Sequence, residues 1–303
     1  MLRIEKLTRG RWGNKLLHYN TLMQLSKTYN IESSCGGWDT DNEFWWDANY
    51  YFDNICQYKK SNNPVIILDW KDILKSDFNL YKFDENYDYI VEDYCMSNVF
   101  FKITKLDPRE FLRLKNQFKV ELKLDYINVG IHFRGGDKHI ANPREIHSPE
   151  YYIDSIKLIE KEYKDKKIKY YVCTDDKSFN TYLITTNYLI DNNLNWQEGS
   201  DSNKNKTIQD SDRSFIYDFS LLSECDILIN SSSFFCVCSG FICKKDKKII
   251  HSKEWIDKNL KHEPWHQGRI ETEKQREFQL SCDNFWVDLY NRGNEFYKLW
   301  KII

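Results

Sequence analysis

The sequence has no large excess of either charge, no long apolar run and no apolar N-terminal segment. Its 44 Lys and Arg residues nearly balance 46 Asp and Glu, so a basic nucleic-acid groove is not expected. The most apolar stretch, residues 227–242, is interrupted by Asn230 and a run of three serines, which makes it too polar to span a bilayer. The first 15 residues lack the apolar core of a signal peptide. These absences predict a cytoplasmic protein with no nucleic-acid partner and no transmembrane segment.

Several chemical signatures are also missing. There is no Gly-x-Ser-x-Gly elbow, no phosphate-binding Walker loop and no Gly-x-Gly-x-x-Gly run, so hydrolase, phosphotransferase and dinucleotide-dependent oxidoreductase functions lack support. The nine cysteines are expected to be reduced, and the spacing of Cys225, Cys236 and Cys238 suits buried small residues better than a zinc site. The acidic pairs at 39–41 and 210–212 follow no apolar strand and are expected by chance in so acidic a chain. No metal site is predicted.

What the sequence does contain is an alternation of apolar strands and amphipathic helices. With 303 residues, the chain is long enough for about two domains, and 41% hydrophobic residues is typical of a globular protein. Strands are predicted at 126–133, 168–173, 226–230 and 248–251, and helices at 148–164, 177–189, 213–225 and 233–243. This alternation predicts a parallel sheet covered on both faces, as in a Rossmann-like domain.

The N-terminal part of the chain begins in the same way. A strand at 2–7, a turn at 9–13, an amphipathic helix at 14–29 and a buried strand at 64–68 predict a second α/β domain. We therefore predict an N-terminal α/β domain at 1–118, a Rossmann-like domain at 119–252 and a helical tail at 253–303.

Polar clusters follow the predicted strands at residues 10–14, 132–138, 174–176 and 230–233. Ligands of open parallel sheets bind beyond the carboxyl ends of the strands. Arg134 is followed by two glycines, and the serines at 231–233 precede a helix, so together they could bind a diphosphate-bearing small molecule. The alternative is that Arg134 pairs with Asp137 within a turn while the serines only cap the helix. From position alone, both interpretations stay open.

These polar clusters resemble motifs of the α-1,2-, α-1,6- and protein O-fucosyltransferases. Residues 129–138 (VGIHFRGGDK) resemble the His-x-Arg segment, and residues 10–15 (GRWGNK) resemble the Gly-Arg-aromatic-Gly-Asn-Gln opening of the α-1,2 and protein O-enzymes. Residues 174–176 (TDD) resemble the Thr-Asp-Asp segment, and residues 218–233 resemble the last motif of the family. Each motif is short, but the four occur in the expected order and cover most of the chain in separate islands.

The resemblance implies a GT-B-like fold, in which two Rossmann-like domains face each other across a cleft. It further implies an inverting, metal-independent glycosyltransferase whose donor substrate is GDP-fucose and which needs no cofactor. Arg134 would bind the β-phosphate and stabilise the leaving GDP. The other donor-binding residues that it implies are His132 and Asp218 at the guanosine, Ser232 and Ser233 at the pyrophosphate, Thr174 and Asp175 along the pocket, and Gly13 and Asn14 from the opposite domain.

The sequence departs from the family in one important position. Many relatives have a second arginine directly after the first, where this chain has Gly135. The donor could therefore be another nucleotide sugar, or the protein could be a non-catalytic nucleotide- or glycan-binding protein on the same scaffold.

Inversion in one step requires a base that takes the proton of the acceptor hydroxyl. Glu145, near the position of a glutamate in the α-1,6 enzymes, is the catalytic carboxylate that we predict; the other candidates are His147, Asp39, Asp41 and Glu43.

A glycan acceptor is expected to bind near residues 38–52, where aromatic and acidic side chains alternate. Trp38 and Trp45 would stack on the sugar, and Asp39 would bind its hydroxyls. A satellite hydrophobic cluster is the alternative for the same segment.

Overall fold

The computed structural model describes residues 1–5, 12–36, 48–53, 55–68, 82–91, 106–135, 146–200, 208–231, 233–242, 247–252 and 299–302. These residues fall into two compact units, one within Met1–Arg113 and the other within Leu114–Trp265 and Glu295–Ile303. The sequence predicts a domain boundary between residues 118 and 119, and the boundary between the two units lies slightly earlier, between Arg113 and Leu114. Across the described ranges, no helix is both long and apolar enough to cross a membrane.

The first unit contains a four-stranded parallel sheet in the order β2-β1-β5-β4. Its described elements are β1 (Leu2–Ile4), α1 (Trp12–Tyr29), β2 (Ser33–Cys35), α2 (Ala48–Tyr51), β3 (Phe52–Asp53), β4 (Val65–Leu68) and β5 (Asp88–Val91). The short strand β6 (Arg113–Leu114) lies where the two units meet in sequence. The α/β character expected for this part of the chain is therefore present.

Helix α1 differs from the amphipathic helix that the sequence predicts. It begins two residues earlier, at Trp12, and its described side chains are buried from there to Ser26. Several of its buried polar groups bond to backbone: His18 Nε2 lies 2.8 Å from the carbonyl oxygen of Val91, and the carboxamide of Gln24 bonds both the N–H and the C=O of Leu106. Because these groups find partners, a helix with polar residues on several faces can be buried.

The second unit is built on a six-stranded sheet in the order β12-β11-β10-β7-β8-β9, and every pairing is parallel. Its strands are β7 (Ile127–Phe133), β8 (Ile168–Thr174), β9 (Trp196–Glu198), β10 (Ile227–Ile229), β11 (Lys248–His251) and β12 (Leu299–Ile302). Its helices are α3 (Pro149–Glu162), α4 (Asn180–Asp191), α5 (Ile208–Glu224) and α6 (Phe234–Phe241). Numbered within the unit, the strand order is 3-2-1-4-5-6, which is that of the Rossmann fold.

The core of the second unit lies along β7, β8 and β10 and the helices that cover them. Val129, Ile131 and Phe133 of β7 are fully buried, as are Ile156 and Ile159 of α3. Strands buried on both faces need continuous apolar runs, and these are the segments that the sequence pattern identifies as strands.

The end of the chain contradicts part of the helical tail expected at 253–303. Leu299–Ile302 is strand β12, which pairs in parallel with β11 and forms one edge of the second sheet. The short apolar run LWKI can extend an existing parallel edge, which the sequence pattern alone does not reveal. Residues 253–298 lie outside the described part of the chain.

Candidate functional site

The candidate site lies at the carboxyl ends of β7 and β10, the two neighbouring strands between which the strand order of the second sheet reverses. From β7 the chain continues to β8 on one side, whereas β10 and β11 lie on the other. Such a reversal leaves a crevice at the sheet edge, where Rossmann-type domains bind ligands. His132 near the end of β7 and Ser231 after β10 meet there, with 2.5 Å between Nδ1 and Oγ.

Arg134 directly follows β7 and is held by a carboxylate from the neighbouring strand. Its guanidinium forms an ion pair with Asp175, which follows β8, and the other oxygen of that carboxylate accepts the N–H of Gly135 at 2.8 Å. The side chain of Arg134 is 11% exposed. Asp175, which follows the next strand, is thus a partner of Arg134, while Asp137, the partner in the turn alternative, lies outside the described residues. Asp175 fixes the cation at the sheet edge.

Gly135 has little room for any side chain. A Cβ atom there would lie 3.0 Å from Cβ of Asp176 and 3.3 Å from Cβ of Phe179. The turn after β8 thus packs directly on the backbone at 135. This close approach favours glycine at position 135.

His132 is a neutral histidine in this environment. Burial, with the charge of Arg134 adding to it, lowers its pKa to about 3. Its ring lies 5.5 Å from that of Phe235 in α6, and its carbonyl accepts the hydroxyl of Tyr152 at 3.1 Å. A neutral imidazole can offer one nitrogen as a donor and the other as an acceptor.

Asp218 in α5 bonds to the loop after β9. The backbone N–H of Ser200 donates to Oδ1 at 2.6 Å and its hydroxyl donates to Oδ2 at 2.8 Å. Burial raises the pKa of Asp218 to about 6 in spite of these two hydrogen bonds, which act to lower it. Gly199 allows the close packing, since a Cβ atom there would lie 2.4 Å from Oδ1. The family resemblance implies that Asp218 contacts guanosine. In this structure its carboxylate accepts two hydrogen bonds from Ser200.

The junction between β10 and α6 is compact. The N–H of Ser233 donates to the carbonyl of Ser231 at 2.7 Å, and Ser233 is the N-cap of α6, although its hydroxyl makes no capping bond. An uncapped helix start leaves N–H groups that can bind an anion. The donor role implied for Ser233 remains a prediction, and Ser232 lies outside the described residues.

Thr174 and Asp176 are used in the turn after β8. The hydroxyl of Thr174 donates to the carbonyl of Asp176 at 3.0 Å and accepts its N–H at 3.1 Å. These two hydrogen bonds stabilise the turn that carries Asp175, the ion-pair partner of Arg134. A direct contact of Thr174 with a donor remains a prediction.

The remaining predicted site residues cannot be placed against this edge. Gly13 is buried in the first turn of α1, in the first unit, and Asn14 belongs to the same turn, although its side chain is not among those described. The catalytic candidate Glu145, the base candidates Asp39, Asp41 and Glu43, and the acceptor-binding candidates Trp38, Asp39 and Trp45 lie outside the described residues.

His147, an alternative base, is 4% exposed, with its ring centroid 4.8 Å from that of Tyr151. Such burial is a poor location for a group that takes a proton from an incoming acceptor.

A further carboxylate lies at this edge of the sheet. Glu198, the last residue of β9, pairs with Lys177 and accepts the hydroxyl of Tyr182 at 2.6 Å. Its strand is only three residues long and mostly polar, so the sequence gives no signal for it. The sequence also gives no signal that Ser200 bonds to Asp218 or that Ser231 bonds to His132.

Of the acidic and cysteine groups weighed as metal ligands, residues 39–41 lie outside the described residues. Residues 210–212 lie near the start of α5, and Cys225, Cys236 and Cys238 are buried thiols. Within the described ranges, no group of three or more His, Cys, Asp or Glu side chains is arranged to hold a metal ion. Metal independence of the activity stays a prediction.

Comparison with solved structures identifies the architecture. The chain is similar to the fucosyltransferase NodZ from Bradyrhizobium with a TM-score of 0.51 and 13% identity, over 80% of this chain and 92% of NodZ. A structure of the NodZ α-1,6-fucosyltransferase co-crystallised with GDP gives a TM-score of 0.50 at 12% identity over the same shares. The chain has a fucosyltransferase-like fold. No protein-family model matches the sequence, and no curated protein matches it by sequence comparison.

Proposed function

We propose that this protein is an inverting glycosyltransferase that transfers L-fucose from GDP-fucose to a glycan hydroxyl without a metal ion. The observation that carries the proposal is the position of Arg134. A guanidinium stands at the strand-order reversal of a Rossmann-type sheet, in a fold shared with an enzyme that has been co-crystallised with GDP.

The chemistry of glycosyl transfer explains why a cation is useful there. The transition state resembles an oxocarbenium ion, and negative charge grows on the departing diphosphate as the glycosidic bond breaks. A preorganised donor directed at that charge stabilises the transition state by about 3 to 4 kcal/mol. Arg134 would supply the charge, and the N-terminus of α6 would supply backbone N–H groups.

Asp175 supports this role because it holds Arg134 before any substrate binds. A carboxylate engages one edge of a guanidinium, which has five N–H donors in total. The guanidinium of Arg134 would thus already be in position when the donor binds. A preorganised charge needs little reorganisation of the protein at the moment of reaction.

The proposal is tested by GDP release from GDP-fucose in the presence of a panel of glycan acceptors. We expect Arg134→Ala to lower kcat by about 100-fold or more, and Arg134→Lys to recover only part of it, because a lysine cannot engage two oxygens in the same plane. Arg109→Ala is the matched control, since Arg109 pairs with Asp107 in the first unit. Turnover by Arg134→Ala equal to that of the wild type would refute the proposal.

The same assay distinguishes the alternatives. A transferase for another nucleotide sugar would release its own nucleotide from a different donor and would still depend on Arg134. A non-catalytic protein would bind GDP tightly and release none from any donor and acceptor pair.

A further inference from the structure

A cluster of two thiols and a phenol lies in the first unit. Cys35 is the last residue of β2, Tyr19 belongs to α1, and Cys56 lies in the segment 55–59. The thiols of Cys35 and Cys56 are hydrogen bonded to each other, and the backbone N–H of Cys56 donates to the hydroxyl oxygen of Tyr19 at 3.1 Å.

Segment 55–59 lies alongside β2 and is held there by contacts of its residues 58 and 59. The hydroxyl of Ser34 accepts the N–H of Lys59 at 2.7 Å and lies 3.3 Å from its carbonyl oxygen. Gly36 packs so closely on Tyr58 that a Cβ atom there would lie 2.8 Å from the ring. These contacts hold the segment that carries Cys56 beside the strand that carries Cys35.

The environment of Cys56 differs from that of the deeply buried thiols. Hydrogen bonds from Cys35, together with those from Ser33 and Tyr19, lower the pKa of Cys56. Burial instead raises the pKa of Cys173, and raises that of Cys236 to about 12. Cys56 is half-buried and is followed by the exposed residues 57–60, so a small reagent can reach it. A thiol with these properties reacts as the thiolate.

We propose that Cys35 and Cys56 form a redox-sensitive dithiol that a hydroperoxide converts to a disulfide. The thiolate of Cys56 attacks the outer peroxide oxygen and becomes a sulfenic acid, while the other oxygen leaves as an alkoxide or hydroxide and takes a proton. The sulfur of Cys35 then attacks the sulfenic sulfur and displaces hydroxide, which takes the thiol proton and leaves as water. The two cysteines lose two electrons and two protons, and the peroxide is reduced.

The experiment treats the full chain with hydrogen peroxide, blocks the remaining thiols and maps the cysteine-containing peptides by mass spectrometry. We expect a peptide pair linked through Cys35 and Cys56 that has lost two hydrogen atoms and is restored by dithiothreitol. We also expect alkylation of untreated protein by iodoacetamide to be at least about tenfold faster at Cys56 than at Cys173.

Variants separate the pair from other thiols of the chain. Cys56→Ser and Cys35→Ala should each abolish the linked peptide, whereas Cys225→Ala, which removes a buried thiol of the second unit, should leave it unchanged. The wild-type peptide map alone decides the matter if a variant does not fold. Oxidation of Cys56 to sulfinic acid without a link, links formed only by other cysteines, or no reaction at either residue would overturn the proposal.

Discussion

At the scale of single residues, Gly135 stands where the packing after β7 leaves little room for a second arginine. Adding a side chain would push Cβ to 3.0 Å from Asp176 and would disturb the turn that carries Asp175. We expect Gly135→Arg to lower the free energy of unfolding by about 1 to 3 kcal/mol, as overpacking usually does. Urea unfolding measures the change.

Gly135→Ala is the graded control for that substitution, since it adds only the methyl group and should cost less. Should Gly135→Arg be as stable as the wild type and bind GDP more tightly, the explanation from packing would be wrong. The second arginine would then be absent for another reason.

Asp218 is a residue of the candidate site whose ionisation is coupled to folding. Its pKa rises from 3.8 to about 6 in the folded protein, so the folded state holds the proton more tightly than the unfolded chain. The favourable contribution is complete below about pH 3.8 and is lost as the pH rises through about 6. The shift corresponds to about 3 kcal/mol.

We therefore expect the stability of the wild type to fall relative to that of Asp218→Asn as the pH rises from 4 to 7. Urea unfolding of both proteins at several pH values measures the difference. The neutral Asn cannot titrate, so it removes the pH-dependent contribution of this position while keeping the side chain's shape. A difference that stays constant over this range would show that Asp218 ionises as it does in water.

At the scale of elements, α1 is buried in spite of its polar sequence, and several of its side chains bond to the backbone of other segments. Gln24 alone satisfies both backbone groups of Leu106, with bonds of 2.6 and 3.1 Å. We expect Gln24→Ala to lower the free energy of unfolding by about 1 to 3 kcal/mol, because those groups lose their partner. Lys27→Ala, at an exposed position of the same helix, should be within about 0.5 kcal/mol of the wild type.

Equal effects of Gln24→Ala and Lys27→Ala on the urea midpoint would contradict this account. The comparison is informative because both substitutions introduce alanine into the same helix, so helix propensity changes little between them.

The elements that could be predicted from the sequence are those with long apolar runs. Strands β7, β8 and β11 and helix α3 agree with the predicted bounds to within two residues, because burial on both faces and the Ser-Pro start leave clear patterns. Strands β9 and β12 could not be predicted in this way. Both are short edge strands that contain polar residues, so no continuous apolar run marks them in the sequence.

At the scale of the whole molecule, the candidate site could be predicted as a region but not as a set of contacts. Because parallel strands end at one edge, the sequence placed His132, Arg134 and Asp175 there, and the structure brings them together. The sequence could not indicate that Asp175 forms an ion pair with Arg134. Nor could it indicate that Ser200 donates two hydrogen bonds to the carboxylate of Asp218. Those pairs join residues that are distant in sequence, and the packing of the sheet determines them.

Metal independence of the proposed activity is a prediction about the whole protein. If Arg134 and the start of α6 stabilise the leaving diphosphate, no divalent cation is needed for that purpose. We expect GDP release from GDP-fucose to be unchanged by excess EDTA, measured against the same protein with added Mn²⁺ or Mg²⁺. A strict requirement for either ion would show that a metal ion, and not Arg134 with the start of α6, neutralises the charge of the leaving diphosphate.

Nucleotide binding should also appear in the stability of the whole fold, because a ligand that binds only the folded state stabilises it by mass action. At a concentration 100 times Kd, the gain is about 2.7 kcal/mol. We expect GDP to raise the Tm, UDP to raise it much less, and Arg134→Ala to lose most of the GDP effect, while Arg109→Ala keeps it. This measurement needs no acceptor and no turnover, so it separates nucleotide recognition from catalysis. An equal response to GDP and UDP would mean that the site recognises the diphosphate alone, and the choice of GDP-fucose as donor would then have no basis in this protein.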